Sequence, residues 1–308
     1  MAQSLEALTR RMTSMKGIRG VVHTMKTLSV INAAPYEHAA QAVEAYHATI
    51  LAGLHAFLSQ AGALDALAPD VAAQVYVVFG TDHGLCGNYN EALAQHVKTQ
   101  IGNAPVILLC VGAQMADALA DQHLDVDALF FPPASVDGIG RMANLLTQKL
   151  DEIRQRVAPK DVSVALAYFA RSGAGAGMES GAHSPEIKAL LPLDTALIAQ
   201  MQTKPWASRS LPYFSMAPAA LFQALLRGHL FASLFRAAAE ALVTENAARL
   251  ALMQQAEQSV DERLDALLSE TRTVRQNDIT TELLDVIIGF EALKKRKPKT
   301  AVDHDTDA

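Results

Sequence analysis

From Ala217 to Phe290 the chain offers almost nothing to stop a helix. Pro218 falls where a first helical turn tolerates it, and after it come only Gly228 and, near the end, Gly289. A helix of roughly 73 residues is about 110 Å long at 1.5 Å per residue, and no compact domain of this size can bury it. Its apolar positions Val260, Leu264, Leu267, Thr271 and Val274, then Ile279, Leu283, Val286 and Phe290, recur in steps of 4 and 3. That spacing draws one narrow seam, so the helix must pair with another.

The partner is at the other end of the chain. Between Ser4 and Ser59 the only breakers are Gly17, Gly20, Pro35 and Gly53. Leu5, Leu8, Met12 and Met15 keep the same rhythm, as do Ile18, Val22 and Met25, with a slip of phase between Met15 and Ile18. Pro35 is expected to kink or locally interrupt this helix.

The middle has a different texture. Val75–Phe79, Val106–Cys110 and Val162–Phe169 are short apolar or alternating runs rich in β-branched residues, with Leu129–Phe131 a weaker strand candidate. Helical stretches near 90–101, 112–122 and 138–157 alternate with them. The expected fold class is α/β: a long antiparallel coiled coil of N- and C-terminal helices, interrupted by a small inserted domain with a mostly parallel sheet. The boundaries read as 1–59 for the first helix, 70–210 for the insert, 217–293 for the second helix and 294–308 for a disordered tail. The glycine-rich Ser172–Ser184 stretch reads as a mobile loop, and Lys294–Lys299 is a basic run with nothing to bury.

Bulk properties exclude several classes. No run of 18 apolar residues appears, which rules out a spanning helix, and Met1–Lys16 lacks the apolar core of a secretory signal. Two cysteines, Cys86 and Cys110, are too few for a disulfide framework and suit a reducing cytosol. A net charge of −6 argues against general nucleic-acid binding. Residues 1–30 nevertheless carry five basic side chains against Glu6 alone, which is either a solvated face or a surface for a partner with acidic loops.

Phe79-Gly-Thr-Asp-His-Gly-Leu-Cys-Gly-Asn-Tyr-Asn90 follows a strand and precedes a helix, the place where a glycine-rich turn can cradle phosphate. It matches neither dinucleotide nor triphosphate fingerprint and lacks a lysine, so a structural turn with Asn88 or Asn90 near the helix start is the better reading. Cys86 beside His83 has no acid–His pairing or ligand spacing around it and reads as a small buried thiol. No metal site, cofactor site or catalytic group is expected. An independent α/β enzyme with a helical oligomerisation arm would need a coherent catalytic group between 75 and 170, and a pure scaffold would show longer heptads without an insert.

Three stretches carry a family resemblance. Gly80–Asn90 resembles the Gly-Ser/Thr-Asp-basic-Gly-Leu-Cys-Gly-Gly-Leu-Asn segment of F-type ATP synthase gamma subunits. Glu245-Asn-Ala-Ala-Arg249 with Met253 is similar to their Glu-x-x-Ala-Arg-Met-x-x-Met segment. Ile279-Thr-Thr-Glu-Leu-Leu-Asp-Val-Ile-Ile-Gly289 resembles their C-terminal Ile-Thr-x-Glu-x-x-acid-x-x-x-Gly. The likeness runs from about residue 4 to 293. Departures are Met25-Lys-Thr-Leu-Ser-Val-Ile-Asn32 in place of Met-Glu-Met-Val-Ala-Ala-Ser-Lys, Pro35 soon after it, and Phe290 where a small residue is usual.

The resemblance implies a rotor: a non-catalytic central stalk, peripheral to the cytoplasmic side of a bacterial inner membrane, that passes rotation of the membrane c-ring to the alpha and beta subunits. Epsilon is an implied further partner, and the active sites would lie on those partners. It implies partner contacts at Met25, Lys26, Arg249, Arg275, Gln276, Thr280 and Glu282. If the helices meet near residues 57 and 217, facing residues have numbers summing to roughly 274. Met25 would then lie level with Arg249, and Arg275–Phe290 would project as a single helix.

Overall fold

A computed structural model describes residues 5–61, 71–102, 104–158, 160–171, 183–206, 209–210 and 213–295. In chain order the elements are α1 (Leu5–Ala61), β1 (Val71–Phe79), α2 (Tyr89–Ile101), β2 (Val106–Val111), α3 (Ala113–Asp121), β3 (Ala128–Phe130), α4 (Asp137–Val157), β4 (Asp161–Arg171), β5 (His183–Leu191), α5 (Thr195–Thr203) and α6 (Pro218–Lys295). Most of the glycine-rich stretch after Arg171, and the tail beyond Lys295, lie outside the described residues. Lys294 and Lys295 continue α6.

The expected long terminal helices are present, at 57 and 78 residues. α1 is not interrupted at Pro35. Pro35 and Ile31 are both exposed, so the carbonyl that loses its helical donor is on the solvated side.

The sheet has five strands in the order β3-β2-β1-β4-β5. β1 pairs in parallel with β2 and β4, β2 with β3, and only β5 runs antiparallel, against β4. Alternation along each strand feeds two cores. Val75, Val77 and Phe79 of β1 face one side with Val164 and Leu166 of β4 and Leu109 of β2, packed against α4 and the shaft helices. Val78, Cys110 and Ala167 face the other, against α2 and α3. β5 and α5 are not legible in the sequence reading. β5 carries Pro185 and little β-branching, and it tolerates the proline because it is an edge strand.

Two compact units emerge: the described residues up to Thr24 together with those from Gln255 onward, and residues 25–254. In each, α1 and α6 run antiparallel. The first unit shows Arg19 paired with Asp261 at 2.8 Å and His23 with Glu257 at 3.2 Å. In the second, Glu44 meets Arg236, His47 meets His229, and Phe57 stacks on Phe222. The first three of these pairs have numbers adding to 280 and the others to 276 and 279. The expected sum of 274 is therefore corrected upward by as much as six residues, about 9 Å along a helix. Met25 lies level with the neighbourhood of Met253, not with Arg249. The register is held by these pairs and by close packing at Gly53 against Leu225 and at Gly228 against Ile50.

Between Ala237 and Asn246, α6 is buried almost all round. The sheet domain covers one side and α1 the other, and the run Ala237-Ala-Ala-Glu-Ala241 is small enough to let both approach.

Candidate partner-contact surfaces

A doubly wound sheet binds its ligand outside the carboxyl ends of the strands where their order reverses, here between β1 and β4. The 80–90 loop leaves β1 at that place, and its Thr81, Asp82 and Asn90 side chains are already engaged. Thr81 N donates to Asn90 Oδ1 (3.0 Å), and Asn90 Nδ2 donates to Thr81 Oγ1 (2.8 Å). Thr81 Oγ1 donates to the His83 carbonyl (2.9 Å), and Asp82 accepts from Ala113 N (3.1 Å). A Cβ on Gly80 would lie 2.4 Å from Met115 Cβ, and Gly112, at φ +104°, would clash at 2.5 Å with the Thr81 carbonyl. Glycine is required at both positions by close approach of the protein to itself. Asn90 holds the turn, while the Asn88 side chain makes no cap.

The crevice itself is filled by α6. Tyr89, buried, packs at a tilt against Phe169 with centroids 4.3 Å apart, and its hydroxyl hydrogen-bonds Thr244 Oγ1 at 2.9 Å. Thr244 Oγ1 also lies 3.2 Å from the Phe169 carbonyl at the end of β4. The shaft helix occupies the place a nucleotide would take. Cys86 is buried against Thr81, and burial raises its thiol pKa above the usual value; burial pushes Cys110 up to about 12.

The residues singled out from the sequence separate into three places. Arg249 donates to Glu245 Oε1 at 2.6 Å and approaches the Gly84 carbonyl at 3.5 Å, with only 12% of its side chain exposed. Burial raises the Glu245 pKa and Arg249 opposes that rise. Met25 and Lys26 are half-buried on α1. Arg275, Gln276, Thr280 and Glu282 are fully on display: every described side chain from Arg275 to Ala292 is exposed. Within that unit, a register of 280 brings Leu5 level with Arg275, so the described part of α1 reaches only to where this stretch begins. The large apolar residues there, Ile279, Leu283, Leu284, Val286, Ile287, Ile288 and Phe290, are 49–69% exposed. That concentration of exposed apolar surface was only half visible in the sequence, where the same positions read as a continuing seam.

The ATP synthase family profile matches residues 4–293. The chain belongs to that family. Gamma chains of Rhodobacter capsulatus (23% identical, covering 94% of this chain and 99% of theirs) and Heliobacterium modesticaldum (26%, 93% and 98%) are among its relatives. Solved structures with the same fold include a chain of the Euglena gracilis mitochondrial ATP synthase OSCP/F1/c-ring assembly, at TM-score 0.64, 14% identity and coverage of 97% and 98%. A second is from the rotor of that enzyme in another rotational state, at TM-score 0.59 and 14% identity, covering 89% and 98%. Within the family this chain is a gamma subunit, the central-stalk component of an F-type ATP synthase and a non-catalytic subunit. Among the described residues no helix is long and apolar enough to cross a membrane.

Proposed function

We propose that this gamma subunit is the rotor that carries rotation of a membrane c-ring to the alpha and beta subunits, whose sites make or hydrolyse ATP at the cytoplasmic face of a bacterial inner membrane. The observation that carries this reading is the place of α6 in the sheet domain. A shaft helix fills the ligand crevice, so the domain is built to grip a rod. Under this reading residues 1–59 and 217–293 form the shaft, 70–210 the domain nearest the c-ring and epsilon, and 294–308 a dispensable tail. Rotation of an asymmetric shaft biases each beta subunit in turn toward a different conformation, because it touches each one differently.

Contacts with the catalytic subunits fall to Met25 and Lys26 on α1 and to Arg275, Gln276, Thr280 and Glu282 on the single-helix end of α6. Arg249 joins them through the Gly84 loop it holds. A tagged full-length chain purified from the membranes of its own cells is expected to bring down two larger subunits in threefold excess. The isolated chain is expected not to bind ATP. Recovery of the chain without those subunits, or saturable micromolar ATP binding to it alone, would overturn the reading.

A further inference from the structure

Arg171 is the last residue of β4, at the same crevice that α6 fills. Its Nε and Nη2 donate to the two carboxylate oxygens of Glu240 on α6 at 2.9 and 3.1 Å, and its own backbone N–H donates to Glu240 Oε1 at 3.1 Å. The third guanidinium nitrogen, Nη1, donates to Glu37 on α1 at 2.6 Å. The three side chains are 25%, 16% and 32% exposed, in the order Arg171, Glu240, Glu37. One planar fork thus ties a strand end to both shaft helices at a single level. Lysine, a point charge without that geometry, could not reproduce it.

Three further polar ties between the sheet domain and the shaft reach one helix each. Tyr89 and Asp151 bond α6 through Thr244 and Arg227, and Tyr36 of α1 donates to the Pro133 carbonyl at 3.5 Å. A load applied through such a tie enters the shaft by one helix and reaches the other only across the α1–α6 seam. A load applied through Arg171 enters α1 and α6 together, because both are held to the same guanidinium. We propose that Arg171, with Glu37 and Glu240, is the torque-bearing joint through which the sheet domain turns both helices of the shaft together. This rests on the rotor reading, and it makes Arg171 a positioning residue for coupling, with no part in ATP chemistry.

The test uses the assembled complex in inverted membrane vesicles, reading ATP hydrolysis and ATP-driven charging of the membrane with a potential-sensitive dye. The variant Arg171→Met with Glu37→Gln and Glu240→Gln removes the joint without leaving buried carboxylates unpaired. Arg171→Lys keeps the charge and loses the fork. Both are expected to assemble and hydrolyse ATP at about the wild-type rate. The ratio of charging to hydrolysis should fall at least twofold in the triple variant and by less in the lysine variant. An unchanged ratio in both, or loss of assembly in both, would overturn the proposal, the second by making the cluster a folding element. A wild-type complex that hydrolyses ATP without charging the membrane would instead count against the rotor reading itself.

Discussion

His47 on α1 and His229 on α6 meet with Nε2 and Nδ1 3.0 Å apart and ring centroids 5.0 Å apart. One nitrogen must donate and the other accept, so at most one of the two rings can be charged, and protonating both would set N–H against N–H. His229 is 7% exposed, and burial, then His47 and Lys188, push its pKa down to about 4. Burial also lowers His47, against the raising influence of Glu44 and with help from Arg236 and Lys188. A base with a folded pKa below its unfolded value contributes stability that is full above about 6.5 and is lost as pH falls toward 4. At 1.36 kcal/mol per unit, the loss attributable to His229 approaches ~3 kcal/mol. Urea midpoints of the full chain are expected to fall between pH 7 and 5, and to fall less in His229→Phe. Parallel pH profiles for the two proteins would show that the pair does not set the acid edge.

At the scale of elements, what could be read in advance was what depends on periodicity. The two terminal helices, four of the five strands and the three helices between them follow from apolar spacing. β5 escaped because an edge strand with Pro185 needs little apolar content of its own. The near-complete burial of α6 between Ala237 and Asn246 also escaped, since a row of alanines carries no directional signal. Of the candidate residues, the exposure of Arg275–Glu282 was legible because a polar face breaks the seam. Arg249 was not, because a charge four residues from Glu245 reads the same on a solvated face as in a buried pair. The register failed for a different reason: it was set from helix ends near 57 and 217, whereas α1 runs on to Ala61 and α6 begins at Pro218, which moves the sum to 279. Cysteines placed at Met25 and Met253 are therefore expected to form a disulfide readily under mild oxidation, and cysteines at Met25 and Arg249 are not. Preferential trapping of the second pair would restore the sum of 274.

For the molecule as a whole, the C-terminal end of α6 is the surface that the chain does not explain by itself. Its seven large apolar residues lie between Ile279 and Phe290 and are about half exposed or more. Apolar surface of that concentration on a soluble helix marks a place that is covered in the working assembly. Ile279, Leu283, Val286 and Phe290 continue the seam spacing, yet α1 has no described residue left to meet them at the observed register. Replacing these four with glutamine removes apolar area that folding of this chain does not bury. The unfolding free energy of the isolated chain in urea should consequently change by no more than ~0.5 kcal/mol per substitution, as for surface substitutions generally. In the assembled complex the same four changes should weaken coupling, lowering ion pumping per ATP hydrolysed, because the end of the shaft would lose the apolar contact that centres it among the catalytic subunits. Two results would sink this assignment. A large loss of stability in the isolated chain would mean the four side chains pack against the protein itself. Unchanged pumping in the complex would mean that the exposed end bears on nothing that matters for rotation.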